Sequence, residues 1–177
     1  MFEKCSFTGN FKANVAVETQ GCPFVQDCLI QGGKDAGIIV YDSGGGTFQK
    51  CEVANTSGDG IIVESSADPH IKGCSIHNSL SRGVYYREGG AGLLEQNEIF
   101  ENSMAGVAIA SGSNPIIRGN IIRDGLASGI YVCDGGRGIF EDNQTYGNML
   151  DFVSEGLPAQ PGKGSSSDQV TWDSLRV

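Results

Sequence analysis

Ile117-Arg118-Gly119-Asn120-Ile121-Ile122 decides the reading of the whole chain, because its pattern recurs every 23 residues. The central column runs Cys5, Cys28, Cys51, Cys74, Asn97, Asn120 and Asn143. Three positions earlier stand Phe2, Val25, Phe48, Ile71, Leu94, Ile117 and Phe140. Two positions later stand Phe7, Ile30, Val53, Ile76, Ile99, Ile122 and Thr145. A second cluster opens at Gly37, Gly60, Gly83, Gly106 and Gly129. Each glycine is followed at once by Ile38, Ile61, Val84, Val107 or Ile130, and two residues further on by Val40, Val63, Tyr86, Ile109 or Val132.

The apolar pairs alternate with period 2 and are largely β-branched, which makes them strands and not helices. Each run ends in Gly, Pro, Asn or Ser, as turns require. Short strands with identical columns in every copy describe a chain that coils in one direction. Successive coils then stack as parallel strands roughly 4.8 Å apart. The expected fold is all-β, a parallel β-helix solenoid of about seven coils with its core between the rungs. A leucine-rich repeat has a period in the same range, but its L-x-x-L-x-L-x-x-N pattern is missing here and no stretch has helical spacing. The repeat domain is expected over residues 2–155. A linker and C-terminal cap are expected over 156–177, the linker at 157–168 and the cap built on Val170, Trp172 and Leu175. The glycine column ends at Phe152, where the next glycine would fall. At the other end the repeat is in phase from Phe2, which reads as a piece of a longer chain.

Composition supports this reading and narrows the partners. The chain has 27 glycines in 177 residues, about twice the usual share, and each would weaken a helix interior. The net charge of −9, from 12 basic and 21 acidic residues, argues against a nucleic-acid partner. No apolar run is long enough for a membrane span, so no membrane partner is expected. The start, Met1-Phe2-Glu3-Lys4-Cys5, carries no basic and apolar leader.

The Cys/Asn column reads as an inward turn position. Stacked amides hydrogen-bond one another and the turn backbone, and cysteine fills the same small space. Metal ligands must converge on a point, whereas these residues lie in a line. Side chains in register point the same way, which suits disulfides badly. Neither metal nor cofactor is expected. Free thiols favour an intracellular location, cytoplasmic or nuclear. Cys22 and Cys133 lie in other columns, and the sequons at Asn55 and Asn143 read as chance.

Two outward faces stand out. One column reads Glu3, Gln26, Gln49, Lys72, Glu95, Arg118 and Glu141. Its signs alternate from Lys72 on, as rung registration by cross-strand charge pairs requires. The other face follows the glycines. Ile39, Tyr41, Ile62, Glu64, Tyr85, Arg87 and Tyr131 form its candidate binding surface, flanked by Asp59 and Arg82. Tyr and Arg are enriched at contact hot spots, and an apolar patch rimmed by charge marks a partner surface. No catalytic residue is assigned. Asp59 and Glu64 with Arg82 and Arg87 are a conceivable acid/base constellation, but the carboxylates of the following column are spaced two rungs apart, near 10 Å.

Residues 111–122 carry Ser-Gly-Ser-Asn-Pro-Ile-Ile-Arg-Gly-Asn-Ile-Ile, whereas residues 88–97 and 134–143 carry a glycine-rich alternative. These alternating repeats resemble those of the F-box β-helix ubiquitin-ligase receptors and of the carbohydrate-binding and sugar-hydrolase β-helices. The resemblance implies a right-handed coil. Its receptor branch implies recognition of a protein partner, and its sugar branch a pectin-lyase-like domain that binds or cleaves an oligosaccharide. No F-box-like segment stands in the sequence, and neither do the N-T-D, G-H-G and R-I-K motifs of polygalacturonases. The first expectation is therefore a non-catalytic protein-binding module. The alternative is a carbohydrate-binding helix or, if an enzyme, a polysaccharide lyase or glycoside hydrolase. A structural spacer is the third reading.

Overall fold

The computed structural model describes residues 1–155, 170–172 and 175–176. Three strands per coil build three parallel sheets. Sheet A runs from Phe2–Glu3 to Ile139–Glu141, sheet B from Ser6–Thr8 to Asn143–Tyr146, and sheet C from Ala13–Val17 to Leu150–Ser154. Every coil contributes one strand to each, so the described residues form seven coils. Register is the 23-residue repeat itself. Ile71 lies opposite Phe48 and Leu94, Ile76 opposite Val53 and Ile99, and Val84 opposite Ile61 and Val107. These columns fill the interior and are fully buried from the second coil onward. Two further strands, Val170–Trp172 and Leu175–Arg176, pair antiparallel with the last strands of sheets B and A. The expected linker at 157–168 lies outside the described residues.

The corners are made by residues held at positive φ. Between sheets A and B these are Lys4, Asp27, Lys50, Gln96 and Asp142; between B and C, Asn55, Asn78, Glu101 and Asp124. Between C and A two successive residues adopt it, as at Asp42–Ser43 and Ser65–Ser66. Asn, Asp and Gly tolerate this conformation best, which explains why the corner positions are polar or glycine.

The left-handed residue at the first corner turns the next side chain inward, and that next residue is the Cys/Asn column. Asn120 Nδ2 donates to the carbonyl of Leu94 (2.8 Å) and to Asn143 Oδ1 (3.0 Å), while its Oδ1 accepts from the backbone N–H of Asn97 (2.9 Å). Cysteine copies the wiring. Cys74 Sγ donates to the carbonyl of Phe48 (3.4 Å) and accepts from the backbone N–H of Cys51 (3.4 Å). All six cysteines are free. The second corner carries a ladder that the sequence reading did not single out. Asn102 Oδ1 accepts from the N–H of Ser79 (3.0 Å), and Asn148 Oδ1 from that of Gly125 (3.0 Å).

The last coil departs from the 23-residue step. Thr145 still pairs with Ile122, but Phe152 pairs with Ile130, a separation one residue shorter. Phe152 therefore does not stand in the glycine column. It takes the inward place and packs edge-on against Phe140, with ring centroids 5.5 Å apart. Asp151 provides the carbonyl that lies over Gly129.

The alternating charge column on sheet A is a closed cluster. Glu95 accepts from Arg118 Nη2 (2.6 Å), pairs with Lys72 Nζ (2.9 Å) and contacts His70 Nε2 (3.0 Å), and its side chain is only 8% exposed. The hydrogen bonds from Arg118 and Lys72 hold its carboxyl down at about 2. An unfolded glutamate titrates near ~4.3. The folded value is the lower one, so the stabilisation is complete above about pH 4.3 and is lost as the pH falls towards 2. The cluster lies on the solvent side of one sheet and is screened, so Glu95→Gln should cost about 1–2 kcal/mol at neutral pH. Urea midpoints of the two proteins should differ at pH 7 and converge as the pH is lowered to about 2; a constant difference would mean that Glu95 acts through packing alone.

Candidate functional site

The outward row of sheet C reads Ala16, Ile39, Ile62, Tyr85, Ala108, Tyr131 and Val153, each opposite the next. Four of the seven candidate residues, Ile39, Tyr41, Glu64 and Arg87, line one groove of about 380 Å³. Ala13, Ala16, Ala36 and Ile39 are its aliphatic residues, and Lys12 and Asp35 complete the lining. Lys12 and Asp35 were not found from sequence. The signal available was an opposite-charge pair one coil apart where each strand of sheet C begins, the backbone N–H of Asp35 donating to the carbonyl of Lys12 (3.0 Å).

The polar groups of the groove are held in place. Tyr41 donates its hydroxyl to Glu18, and Arg87 donates Nε to Glu64. The Glu18 hydrogen bond, then burial, then the charges of Glu18, Asp42 and Glu64 push the Tyr41 phenol up. Burial pulls the Arg87 guanidinium down, but the Glu64 bond and charge outweigh it and the net direction is up. Arg87 therefore remains a cation locked onto a carboxylate.

The other candidates lie elsewhere. Ile62, expected on an exposed row, is only 4% exposed, set between Ile39 and Tyr85 in register. Tyr85 has two guanidiniums over its ring, with Arg82 Cζ 4.1 Å and Arg87 Cζ 5.6 Å from the ring centroid. Tyr131 is two coils beyond Tyr85, and its hydroxyl donates to Glu155, which pushes it up to about 12. Asp59, one wall of the conceivable acid/base constellation, is buried, and its Oδ1 accepts from the backbone N–H of Arg82 (2.8 Å).

Asp35 and Glu64, the two carboxylates that line the groove, are not set as a pair for glycosidic cleavage. Asp35 stands at the start of its strand and Glu64 at the end of the next, six residues along, which is about 20 Å. Two carboxyl groups acting on one glycosidic bond need about 5–9.5 Å. A larger cavity of about 630 Å³ opens at the first coil. Its walls include the inward residues Phe7, Val15 and Val25, so it is the core seen end-on.

Residues 13–166 match the model of the right handed beta helix region. The chain belongs to this right-handed β-helix family. No curated protein matches the sequence. Among solved structures, the β-helix is similar to the periplasmic alginate epimerase AlgG, with a TM-score of 0.60 and 18% identity over 78% of this chain and 35% of that one. A mutant of the same epimerase superposes with a TM-score of 0.62 and 20% identity over 68% of this chain and 30% of that one. The β-helix thus spans about a third of the length of these structures, and the likeness is one of fold.

Proposed function

We propose that this β-helix binds a saccharide chain in the sheet C groove. The observation that carries this reading is the make-up of the groove: an aliphatic set, Ala13, Ala16 and Ile39, beside the hydrogen-bonding residues Tyr41, Glu64, Arg87, Lys12 and Asp35. A sugar ring offers the matching pair of surfaces, an apolar C–H face and an edge of hydroxyls. The volume falls in the lower part of the range of small-ligand sites. Tyr41 presents a ring whose hydroxyl is already fixed by Glu18, so little rotamer freedom is lost on binding. Similarity to an alginate epimerase, a protein named for a polysaccharide, supports the same reading. The reading is one of binding, and Asp35 and Glu64, the two carboxylates that line the groove, are spaced along the strands and not paired across it.

Titration of the chain with a panel of neutral and acidic oligosaccharides, followed by calorimetry and amide chemical shifts, tests it. At least one class should bind, with shifts gathered at Ile39, Tyr41 and Arg87. Tyr41→Ala should weaken binding about tenfold, equivalent to about 1.4 kcal/mol, with the thermal midpoint little changed. Absence of binding by every oligosaccharide, or full affinity in the Tyr41 variant, would refute the reading. Recognition of a protein surface is the second reading. It is favoured by Tyr85, which is not in the groove lining and has the guanidiniums of Arg82 and Arg87 over its ring, and it would show as partner capture that depends on Tyr85 and not on Tyr41.

A further inference from the structure

The corner between sheets B and C carries an apolar ridge. Nine large hydrophobic side chains are exposed among the described residues, and five of them stand here: Leu80, Met104, Leu126, Met149 and Leu150, at 68, 44, 72, 77 and 54%. They follow one another from the fourth coil to the seventh, so the ridge runs along the rod for about 15 Å. The backbone beneath it is fixed. The N–H groups of Leu80, Met104, Leu126 and Met149 donate to the carbonyls of Thr56, Ser81, Asn102 and Ala127 in the preceding coil (2.9, 2.9, 3.1 and 3.0 Å). Ser81 Oγ donates to Met104 Sδ (3.5 Å), which steadies that side chain. The net charge of the chain is −9, yet no charged residue stands in 79–81, 102–105, 125–128 or 147–150. We infer that the ridge is the contact surface of a homodimer, in which a second copy of the chain lies alongside and runs in the same direction. This goes beyond the saccharide reading and does not depend on what the groove binds.

The sizes of the side chains make the ridge complementary to itself. In the fourth, fifth and sixth coils two adjacent positions hold one large and one small residue in alternating order: Leu80-Ser81, Ser103-Met104 and Leu126-Ala127. The large members are exposed and the small ones half-buried. A two-fold axis parallel to the rod sets the first position of one copy against the second position of the other in the same coil. Leu80, Met104 and Leu126 then meet Ser81, Ser103 and Ala127 of the second copy, and the reverse holds by symmetry. In the seventh coil the shortened step leaves Met149 alone between Asn148, opposite Gly125, and Leu150, opposite Ser128. Met149 therefore lies near the axis against its own counterpart, where an unbranched side chain adapts best.

Charge selects the direction. Glu101 and Asp124 are exposed and flank the ridge on its sheet B side. With both copies running the same way, they face Ala105 and Ser128 of the second copy. With the copies opposed, the fifth coil faces the sixth, and Glu101 would meet Asp124 of the second copy twice, a like-charge contact between two acidic chains. The patch is on the order of 500 Å², the size at which exposed apolar surface marks a contact, but below the ~800 Å² a side of a standard interface. The dimer is therefore weak and reversible, half-formed at tens of micromolar.

Sedimentation velocity of the full chain from about 1 to 200 μM tests this, and the chain should pass from monomer towards dimer over that range. Leu126→Glu combined with Met149→Glu should weaken association at least tenfold with the thermal midpoint unchanged, because both side chains are exposed. Ile116→Glu, at a residue 38% exposed on sheet A and away from the ridge, should dimerise as the wild-type chain does. If the double variant does not fold, Ala127→Lys blocks the contact from its small side and should have the same effect. A photoreactive residue at position 149 should link to residues 147–150 of the second copy; linkage to 78–82 would overturn the common direction. A chain that stays monomeric throughout, or a dimer indifferent to Leu126, Met149 and Ala127, would overturn the inference. A monomer that floats with neutral phosphatidylcholine vesicles, and loses this in the double variant, would overturn it in favour of a lipid-facing ridge.

Discussion

Asn120→Ala is expected to destabilise the β-helix by about 4 kcal/mol, because one side chain serves three coils at once. Asn120 is fully buried. Without its amide, the backbone N–H of Asn97 and the carbonyl of Leu94 lose these partners in the dry interior. A buried polar group left unpaired costs about 1–3 kcal/mol, and the deleted side-chain volume adds a cavity contribution. Asn120→Cys separates these effects. Cys74 shows that a thiol at this corner can accept the N–H of the preceding coil and donate to a carbonyl of that coil. The cysteine variant should therefore retain about half of the lost stability, since sulfur makes weaker hydrogen bonds than an amide. Guanidinium unfolding of the two variants measures both values. Equal losses for alanine and cysteine would mean that volume, not hydrogen bonding, governs the column.

That Asn and Cys share one column was visible in the sequence because a fixed period puts equivalent side chains above one another. The three sheets, the inward columns and the parallel register were legible for the same reason: a solenoid turns a one-dimensional repeat directly into contacts. Features without a column were harder to read. The one-residue shortening that places Phe152 opposite Ile130 occurs once, after the last regular position, so no neighbouring copy exposes it. The groove was legible only in part. Tyr41, Glu64 and Arg87 announce themselves as polar and aromatic residues on one strand face. Lys12 and Asp35 lie at the other end of the strands, one repeat apart, and their column continues with Gly58 and Ser81, so no run of charge marks it. Ile62 was read as exposed because alternation alone assigns it to the outside. How neighbouring side chains in register shelter an outward residue depends on three-dimensional packing that period 2 does not encode.

The glycine column gives the second large effect, and its cause is space and not backbone dihedral. A Cβ on Gly83 would lie 2.6 Å from the carbonyl oxygen of Gly106, 2.7 Å from Ile99 Cγ2 and 2.8 Å from Asn102 Nδ2. Each of these groups is committed. The Gly106 oxygen accepts from the N–H of Val84 (2.9 Å), Ile99 is in the core, and Asn102 Nδ2 donates to the carbonyl of Ile76 (3.3 Å). Gly83→Ala must therefore separate two coils, strain the second corner ladder and displace a core isoleucine together. The expected cost is about 3 kcal/mol, or roughly 6–12 °C in thermal midpoint for a domain of this size. Gly112 is the control. It has φ +72° with nothing within 4 Å of the added Cβ, so Gly112→Ala carries only the left-handed backbone penalty, about 1 kcal/mol. Gly83 lacks positive φ, and a residue chosen only for backbone freedom would tolerate alanine there. If Gly83→Ala unfolds at the wild-type midpoint while Gly112→Ala does not, the coils can part without cost, and glycine at the head of the five middle strands of sheet C owes its place to something other than the closeness of the next coil.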